Sequence, residues 1–301
     1  MKQDIILSVI IVNFNTYSFL SKCLESIKRS NVILEKIEII VVDNNSGNKE
    51  AERIKETFSY VNLIKNRENI GFAKANNQAI KKSLGKYVLL LNPDTIVKKG
   101  TFETMLKFME KNVKVGVATC RVNLVSGQID DACNRGFPSP WNAFCHFSGL
   151  AKLFPQSKFF NGYHLGFWNM EQVHEIDSCV GAFLLVRREV GERVGWLDED
   201  YFWYGEDIDF CYKVKNAGWK VMYVPTTSIL HYKGVSGGIK KHSQHLSLAD
   251  KKIKYLATRS RFEVMRIFYE KHYKKKYPEW IRAIVLWGIK LKEYLSLAAL
   301  G

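Results

Sequence analysis

The chain has 301 residues, 47% of them apolar and 25% charged, with 45 Lys+Arg against 30 Asp+Glu for a formal net charge of +15. That composition excludes a disordered chain, a collagen-like repeat and a small disulfide-stapled scaffold, and the length suffices for one large α/β domain or a domain plus an appendage. The charge is uneven: residues 236–301 hold 15 Lys/Arg and 5 Asp/Glu, a net +10, against 30 and 25, a net +5, for residues 1–235, so the tail is expected to meet an anionic partner, a membrane surface or a nucleic acid.

Residues 5–12 form an apolar, β-branched run that ends in Asn13-Phe14-Asn15-Thr16, the pattern of a buried parallel strand. Apolar residues at helical spacing (Phe19, Leu20, Cys23, Leu24, Ile27) predict a helix over 17–29. A second strand over 37–42 runs into Asp43-Asn44-Asn45-Ser46-Gly47, dense with turn formers. A helix over 50–58, a short strand over 61–65 and a helix over 71–83 follow, then a fourth strand over 86–91 that stops at Asn92-Pro93-Asp94. Alternating strands and helices predict a parallel sheet with helices on both faces, joined by right-handed crossovers. Three polar clusters (13–16, 43–47 and 92–94) each follow a strand directly. They are expected to converge on the sheet edge where such folds bind ligands.

Residues 121–175 lose the periodicity and carry Pro138, Pro140, Pro155 and many aromatics, a substrate lid or irregular structure packed on the sheet. Regularity returns with a strand over 180–186, a helix over 207–216 stopped by Gly218, and a short strand over 220–224. Beyond Ser236 the chain reads as helical and basic. Six scattered cysteines without a CxxC pair read as free buried thiols in a reducing compartment. The N-terminus has no secretory pattern and no 18-residue uncharged apolar stretch occurs, so the chain is expected in the cytoplasm.

Three stretches carry chemistry. Gly205-Glu206-Asp207-Ile208-Asp209 sets three carboxylates at a helix start, where they complement the dipole. The flanking Tyr201, Phe202, Trp203, Tyr204 and Trp219 are expected to put at least one of them in a low-dielectric wall, raising its pKa to suit a general base near neutrality. Asp94, at the tip of a buried strand, has the chemistry of a hard-cation ligand. His231 leads into a glycine-rich run, Gly234, Gly237 and Gly238, able to approach phosphates.

Taken in chain order, Ser8–Asn15, Ile39–Ser46, Asn69–Asn77, Asn92-Pro93-Asp94, Cys179–Arg187, Gly205-Glu206-Asp207 and His231 resemble the inverting glycosyltransferases of family 2 over about three-quarters of the chain. The likeness is nearest in character to the bacterial rhamnosyltransferase-like members that build O-antigen and cell-wall polysaccharides. It implies an α/β GT-A fold, a Rossmann-like, mostly parallel sheet flanked by helices, with a basic C-terminal helical extension. It assigns nucleotide and donor binding to Val12, Asn13, Asn15, Asp43, Asn45, Asn69, Gly71, Asn77, Asn92 and Pro93, with Asp43 hydrogen-bonding the base. Asn92-Pro93-Asp94 stands where the family has an Asp-x-Asp motif, so a divalent cation, Mg²⁺ or Mn²⁺, rests on Asp94 together with His231. Asp207 matches the catalytic base, and Glu206 is the second choice.

The resemblance further implies transfer of a sugar from a nucleoside-diphosphate donor to a hydroxyl of a growing cell-surface glycan. The first choice of donor is dTDP-L-rhamnose, with UDP-hexose or UDP-N-acetylhexosamine as the alternative. The expected acceptor is linked to a polyprenyl diphosphate, which would place the enzyme peripherally on the inner face of the cell membrane. Residues 1–120 would be the nucleotide half of the catalytic domain, 121–235 the acceptor-binding half and 236–301 the extension. In the extension Trp280, Ile284, Trp287, Leu291 and Leu295 keep helical spacing. Two readings stay open for it: membrane contact at the headgroup boundary, or packing on the catalytic domain or a second subunit, as in a homodimer. A nucleotidyltransferase would need glycine and basic residues after the first strand, and residues 13–17 have neither. A non-catalytic sugar-binding module would be expected to have lost Asp94, Asp207 or His231. Nucleic acid is favoured by charge alone, without a recognised motif, and is not an expected partner.

Overall fold

The computed structural model describes residues 5–30, 36–234 and 250–298. The first half follows the predicted order: β1 (Leu7–Asn13), α1 (Tyr17–Arg29), β2 (Ile37–Asp43), α2 (Glu50–Thr57), β3 (Asn62–Lys65), α3 (Phe72–Ile80) and β4 (Tyr87–Leu91). β1, β2 and β4 are buried almost throughout, as their continuous apolar runs require. The stretch from 95 to 120, unassigned by the sequence reading, holds β5 (Thr95–Val97), α4 (Thr101–Lys111) and the start of the long strand β6 (Val115–Leu124).

The weakly periodic region folds as a short 3₁₀ turn at Asp131–Cys133, α5 (Pro140–Ser148), α6 (Leu150–Leu153) and the edge strand β7 (His174–Ile176). Then come β8 (Phe183–Arg187), α7 (Arg188–Val194), α8 (Glu206–Asn216) and β9 (Lys220–His231), the last much longer than the predicted strand over 220–224. α9 (Lys251–His272) and α10 (Glu279–Ala298) complete the described chain.

The strands form one nine-stranded sheet in the order β3-β2-β1-β4-β8-β6-β9-β5, with β7 also paired to β9. β1–β4, β6 and β9 run one way; β5, β7 and β8 run against them. The sheet is thus mostly parallel, as expected, and the parallel run of the first half stops at β4. β8 enters next to β4 antiparallel, because its chain arrives from an irregular segment rather than through a crossover helix. The main core includes Tyr87, Phe102, Phe183 and Phe210, and all six cysteine thiols are free and buried, as expected.

Strand register is what builds the site. Asn13 pairs with Asp43 at the carboxyl ends of β1 and β2. At the other side of β4, Thr95 of β5 stands opposite His231 of β9, and Leu124 of β6 flanks His231 on its far side. The chain then turns back after β6, with Leu124 N–H donating to Gln128 O and Asp130 N–H to Val122 O, so Asp130 returns beside the strand end. The predicted convergence of strand-end loops therefore extends to residues from 130 and 231.

α9 docks on α8 through Tyr212, Phe268, Tyr269 and Tyr273, while α10 packs along α9. His272 Nε2 lies 2.6 Å from Asp209 Oδ1, and Lys271 Nζ bonds Asp198 and Asp200 at 2.5 and 2.6 Å.

Candidate active site

Beyond the carboxyl ends of β1, β2 and β4 lies a crevice open to solvent, with a cavity volume of about 130 Å³, lined by Val12, Phe14, Asn44, Asn69, Gly71, Phe72, Asn92, Pro93, Asp94, Phe202, Trp203, Tyr204 and Gly234. One wall is aromatic. Trp203 and Tyr204 stack with ring centroids 5.9 Å apart, and Tyr204 (φ 78°) and Gly205 (φ 84°) are consecutive left-handed residues that turn the chain into α8. A bulky residue in that conformation is held only when its surroundings over-determine it. The facing loop approaches closely because position 71 is glycine. Phe72 N–H donates to Phe202 O at 2.8 Å, and a Cβ on Gly71 (φ 86°) would stand 2.9 Å from that oxygen.

Asp94 lines the crevice, and His231 stands next to it without being a lining residue; both are buried, and His231 Nε2 lies 3.3 Å from Asp94 Oδ1. Asn92 Nδ2 stands 3.4 Å from the same imidazole nitrogen. The other ring nitrogen, Nδ1, faces Asp130 Oδ2 at 3.4 Å, and neither of those two atoms has a hydrogen-bond partner among the described residues. Asp130 is fully buried; its Oδ1 accepts from Ala132 N–H and is paired with Lys233. Burial works against ionising Asp130, but His231 and Lys233 more than offset it and hold its carboxyl well below the usual range. Burial likewise opposes a charged His231, and Asp94 and Asp130 outweigh it, pushing the imidazole up to about 9.

With the His231 proton displaced, a carboxylate oxygen and an imidazole nitrogen converging from neighbouring strand ends, with a second carboxylate behind the imidazole, form a donor set that fits a divalent cation, which binds in competition with that proton. The separation of 3.3 Å matches two donors sharing one ion, each at about 2.1 Å. Asp94 and His231 would supply only two protein ligands; among the described residues no cluster of three His, Cys, Asp or Glu side chains stands ready to hold a metal. A site of this kind completes its shell with water and ligand oxygens.

The three carboxylates of α8 have three different environments. Asp209 is fully buried and held by Tyr201 Oη, His272 and Lys213, so it ties α9 to α8. Asp207 Oδ2 accepts from Arg135 Nη2 at 3.2 Å and from Gly181 N–H at 3.3 Å, and Oδ1 accepts from Ile208 N–H. Burial disfavours the Arg135 charge, and Asp207 more than restores it. Glu206 is buried with Oε2 unpartnered among the described residues; burial, then the charge of Asp207, pushes its carboxyl up to about 8. The expectation of a carboxylate with a raised pKa is met at Glu206. Trp219 plays no part in that wall: it packs beside Gly116 on the sheet, after the far end of α8.

The sequence-predicted residues divide. Val12, Asn69, Gly71, Asn92, Pro93 and Asp94 line the crevice. Asn13 and Asp43 lie behind it, fully buried: Asn13 Nδ2 donates to Asp43, Ser46 and Glu50, a network that locks the first two loops together. Asn15 caps the second loop by accepting from Gly47 N–H at 2.8 Å. Asn45 is exposed and left-handed (φ 67°), and its neighbour Asn44 faces the crevice instead, donating to Asn69 Oδ1 at 2.7 Å and accepting from Ile70 N–H. Asn77 is elsewhere, clamped to the backbone of Leu197 and to Glu199. The glycine-rich run beyond Gly234 lies outside the described residues. Asn44, Asp130 and Arg135 were not singled out from the sequence. Asn44 sits in a flagged cluster, whereas Asp130 and Arg135 come from the aperiodic segment and meet partners 101 and 72 positions away.

The chain is similar to rhamnosyltransferase WbbL of Escherichia coli (strain K12), at 28% identity over 74% of this chain and 82% of that protein. It is also similar to N-acetylglucosaminyl-diphospho-decaprenol L-rhamnosyltransferase of Mycobacterium tuberculosis, at 25% identity over 80% of each. Among solved structures, the mannosyltransferase PcManGT from Pyrobaculum calidifontis in complex with GDP-Man and Mn²⁺ superposes with a TM-score of 0.57 at 17% identity, covering 98% of this chain and 72% of that one. TarS 1–349 of S. aureus in complex with UDP-GlcNAc gives 0.55 at 16% identity, covering 97% and 73%. These likenesses show a common GT-A fold. The family profile described as glycosyl transferase family 2 matches residues 8–168, more than half the chain, and with the fold and strand-end crevice it places this protein in glycosyl transferase family 2.

Proposed function

We propose that this glycosyltransferase moves a sugar, L-rhamnose from dTDP-L-rhamnose in first place, onto a hydroxyl of a polyprenyl-diphosphate-linked glycan with inversion at the anomeric carbon. The observation that carries the reading is the β5–β9 register, which sets His231 3.3 Å from Asp94, a residue of the crevice wall. The names of the two rhamnosyltransferase relatives support the donor, and the diphospho-decaprenol in one of them supports the acceptor class. UDP-hexose or UDP-N-acetylhexosamine remains the second donor, favoured by the UDP-GlcNAc-bound neighbour of similar fold.

In this reading residues 1–120 hold the nucleotide between the 12–14, 44 and 69–71 segments and the aromatic wall. Residues 121–235 supply Asp130, Arg135 and the α8 carboxylates, and residues 236–301 the helical extension. Asp94 and His231 would hold Mg²⁺ or Mn²⁺, a group that when bound neutralises charge developing on the departing diphosphate. Asp130 fixes the ring of His231 through Nδ1 so that Nε2 faces Asp94. Asp207, anchored through Oδ2 by Arg135 and Gly181 N–H at the positive end of α8, takes the proton of the acceptor hydroxyl on Oδ1. Glu206, protonated near neutrality, adds no second negative charge beside it.

The test is a transfer assay with dTDP-L-rhamnose, UDP-glucose and UDP-N-acetylglucosamine, each with a polyprenyl-diphosphate-N-acetylglucosamine acceptor, and the product read by NMR. Transfer from the rhamnose donor with the anomeric configuration opposite to the donor's is expected. Transfer from a UDP-sugar alone would move the donor; retention of configuration, or no transfer from any donor, would overturn the mechanism.

A further inference from the structure

α10 turns a row of large apolar side chains to solvent. Trp280, Ile284, Trp287, Leu291, Tyr294 and Leu295 are 42–70% exposed, spaced so that they share one helix face. The opposite face is engaged: Arg282 pairs with Glu270, Arg266 with Glu293, and Val285 packs against the aromatic cluster under α9. Lys290 and Lys292 flank the exposed row on either side.

The row has a neighbour. Lys292 Nζ sits 3.4 Å from the ring centroid of Phe147 on α5, which exposes Trp141, Phe144 and Phe147 along one side. Lys152 on α6 and Arg261 on α9 border the same area. Burial, then the charges of His164, Lys292, Lys152 and Arg261, hold His146 of α5 below its ordinary pKa, so these cations crowd one patch. Arg261 also bears on Tyr204 in the crevice wall, and Val264 of α9 lies where a Cβ on Gly205 would come within 2.9 Å of it. The apolar, cation-bordered surface thus adjoins the crevice.

We propose that the exposed row of α10 and the aromatic side of α5 together seat the protein on an anionic lipid bilayer, with the crevice mouth at the membrane. No helix among the described residues is long and apolar enough to cross a membrane, whereas a helix with tryptophans on one face and lysines at its borders suits the headgroup boundary. Charge selects lipid over a second copy. The tail carries a net +10, and an isologous dimer on this face would bring two such tails together. The proposal rests on the glycosyltransferase reading only for its purpose, delivery of a lipid-linked acceptor. Vesicle binding needs no turnover, so either can fail without the other.

The experiment is flotation of the full chain with vesicles of phosphatidylcholine, with and without phosphatidylglycerol. The wild type is expected to float with the anionic vesicles and to lose that binding in high salt. Trp287→Ser with Leu291→Ser, and separately Phe144→Ser with Phe147→Ser, should each weaken partitioning at least about tenfold, since each pair removes buried apolar area. Lys290→Glu with Lys292→Glu should abolish the preference for anionic lipid. Circular dichroism and retained nucleotide binding check that each variant is folded. A wild type that floats with neither vesicle, or α10 variants that float as well as it does, would overturn the proposal. So would a lipid-free dimer that Trp287→Ser with Leu291→Ser converts to monomer while vesicles go unbound, which would assign the face to a second copy.

Discussion

Asp130 Oδ2 faces His231 Nδ1 across 3.4 Å, from a residue that the turn after β6 carries back beside the strand end. The pairing leaves Nε2 as the imidazole nitrogen turned toward Asp94 and Asn92. Asp130→Asn keeps the shape but removes the charge, and should weaken Mn²⁺ binding to the nucleotide-loaded protein about 10- to 100-fold, with the fold retained. Titration of Mn²⁺ by electron paramagnetic resonance reads this directly; unchanged affinity would remove Asp130 from the cation site.

Asp207→Asn should lower turnover by about 10²–10⁴-fold while leaving nucleotide affinity near wild type, because a general base acts on the acceptor proton and not on the donor. Its anchor behaves differently. Arg135→Met leaves Asp207 buried without its cation and should cost about 3–5 kcal/mol of stability by denaturant unfolding.

Glu206 gives a pH signature. Its carboxyl is raised from 4.5 to about 8 in the folded protein, so the folded state holds the proton more tightly than the unfolded chain. The stability linked to that proton is fully present below pH 4.5 and is lost as pH rises through about 8. Glu206→Gln stays neutral at every pH. The melting temperature of the variant minus that of the wild type should therefore climb between pH 5 and pH 9, and a flat difference would contradict the assignment.

Gly71→Ala tests the contact between the two crevice walls. The added Cβ meets Phe202 O at 2.9 Å in a conformation that alanine disfavours. The cost should be about 1–3 kcal/mol by thermal unfolding, together with weakened nucleotide binding as the wall shifts.

Much of this architecture was legible because it is local. The buried runs of β1, β2 and β4, the periodicity of α1 and α2, and the turn formers after each strand all lie within short windows. The convergence of residues 12–14, 44 and 92–94 then follows from parallel topology. Asp94 was read as a hard-cation ligand from its place at a strand tip and His231 was joined to it by the resemblance, and the β5–β9 register supplies the physical reason they meet. What escaped was non-local or depended on side-chain direction. Nothing near Asp130 or Arg135 in the chain announces partners 101 and 72 positions away. Asn45 and Asn44 are indistinguishable as turn formers until φ at 45 turns one outward. Asn77 falls on a helix that presents it to Leu197 rather than to the crevice. The antiparallel entry of β8 was hidden because an apolar run such as 183–187 reads the same in either direction.

The central claim is that the crevice binds a nucleoside diphosphate together with a cation held by Asp94 and His231. Calorimetric titration of the protein with dTDP, UDP and GDP, each with and without Mn²⁺, tests it most directly. The account predicts Mn²⁺-dependent binding, tightest for dTDP, that Asp94→Asn abolishes. Absence of binding by any of the three nucleotides with Mn²⁺ present, or binding indifferent to both Mn²⁺ and Asp94→Asn, would contradict it.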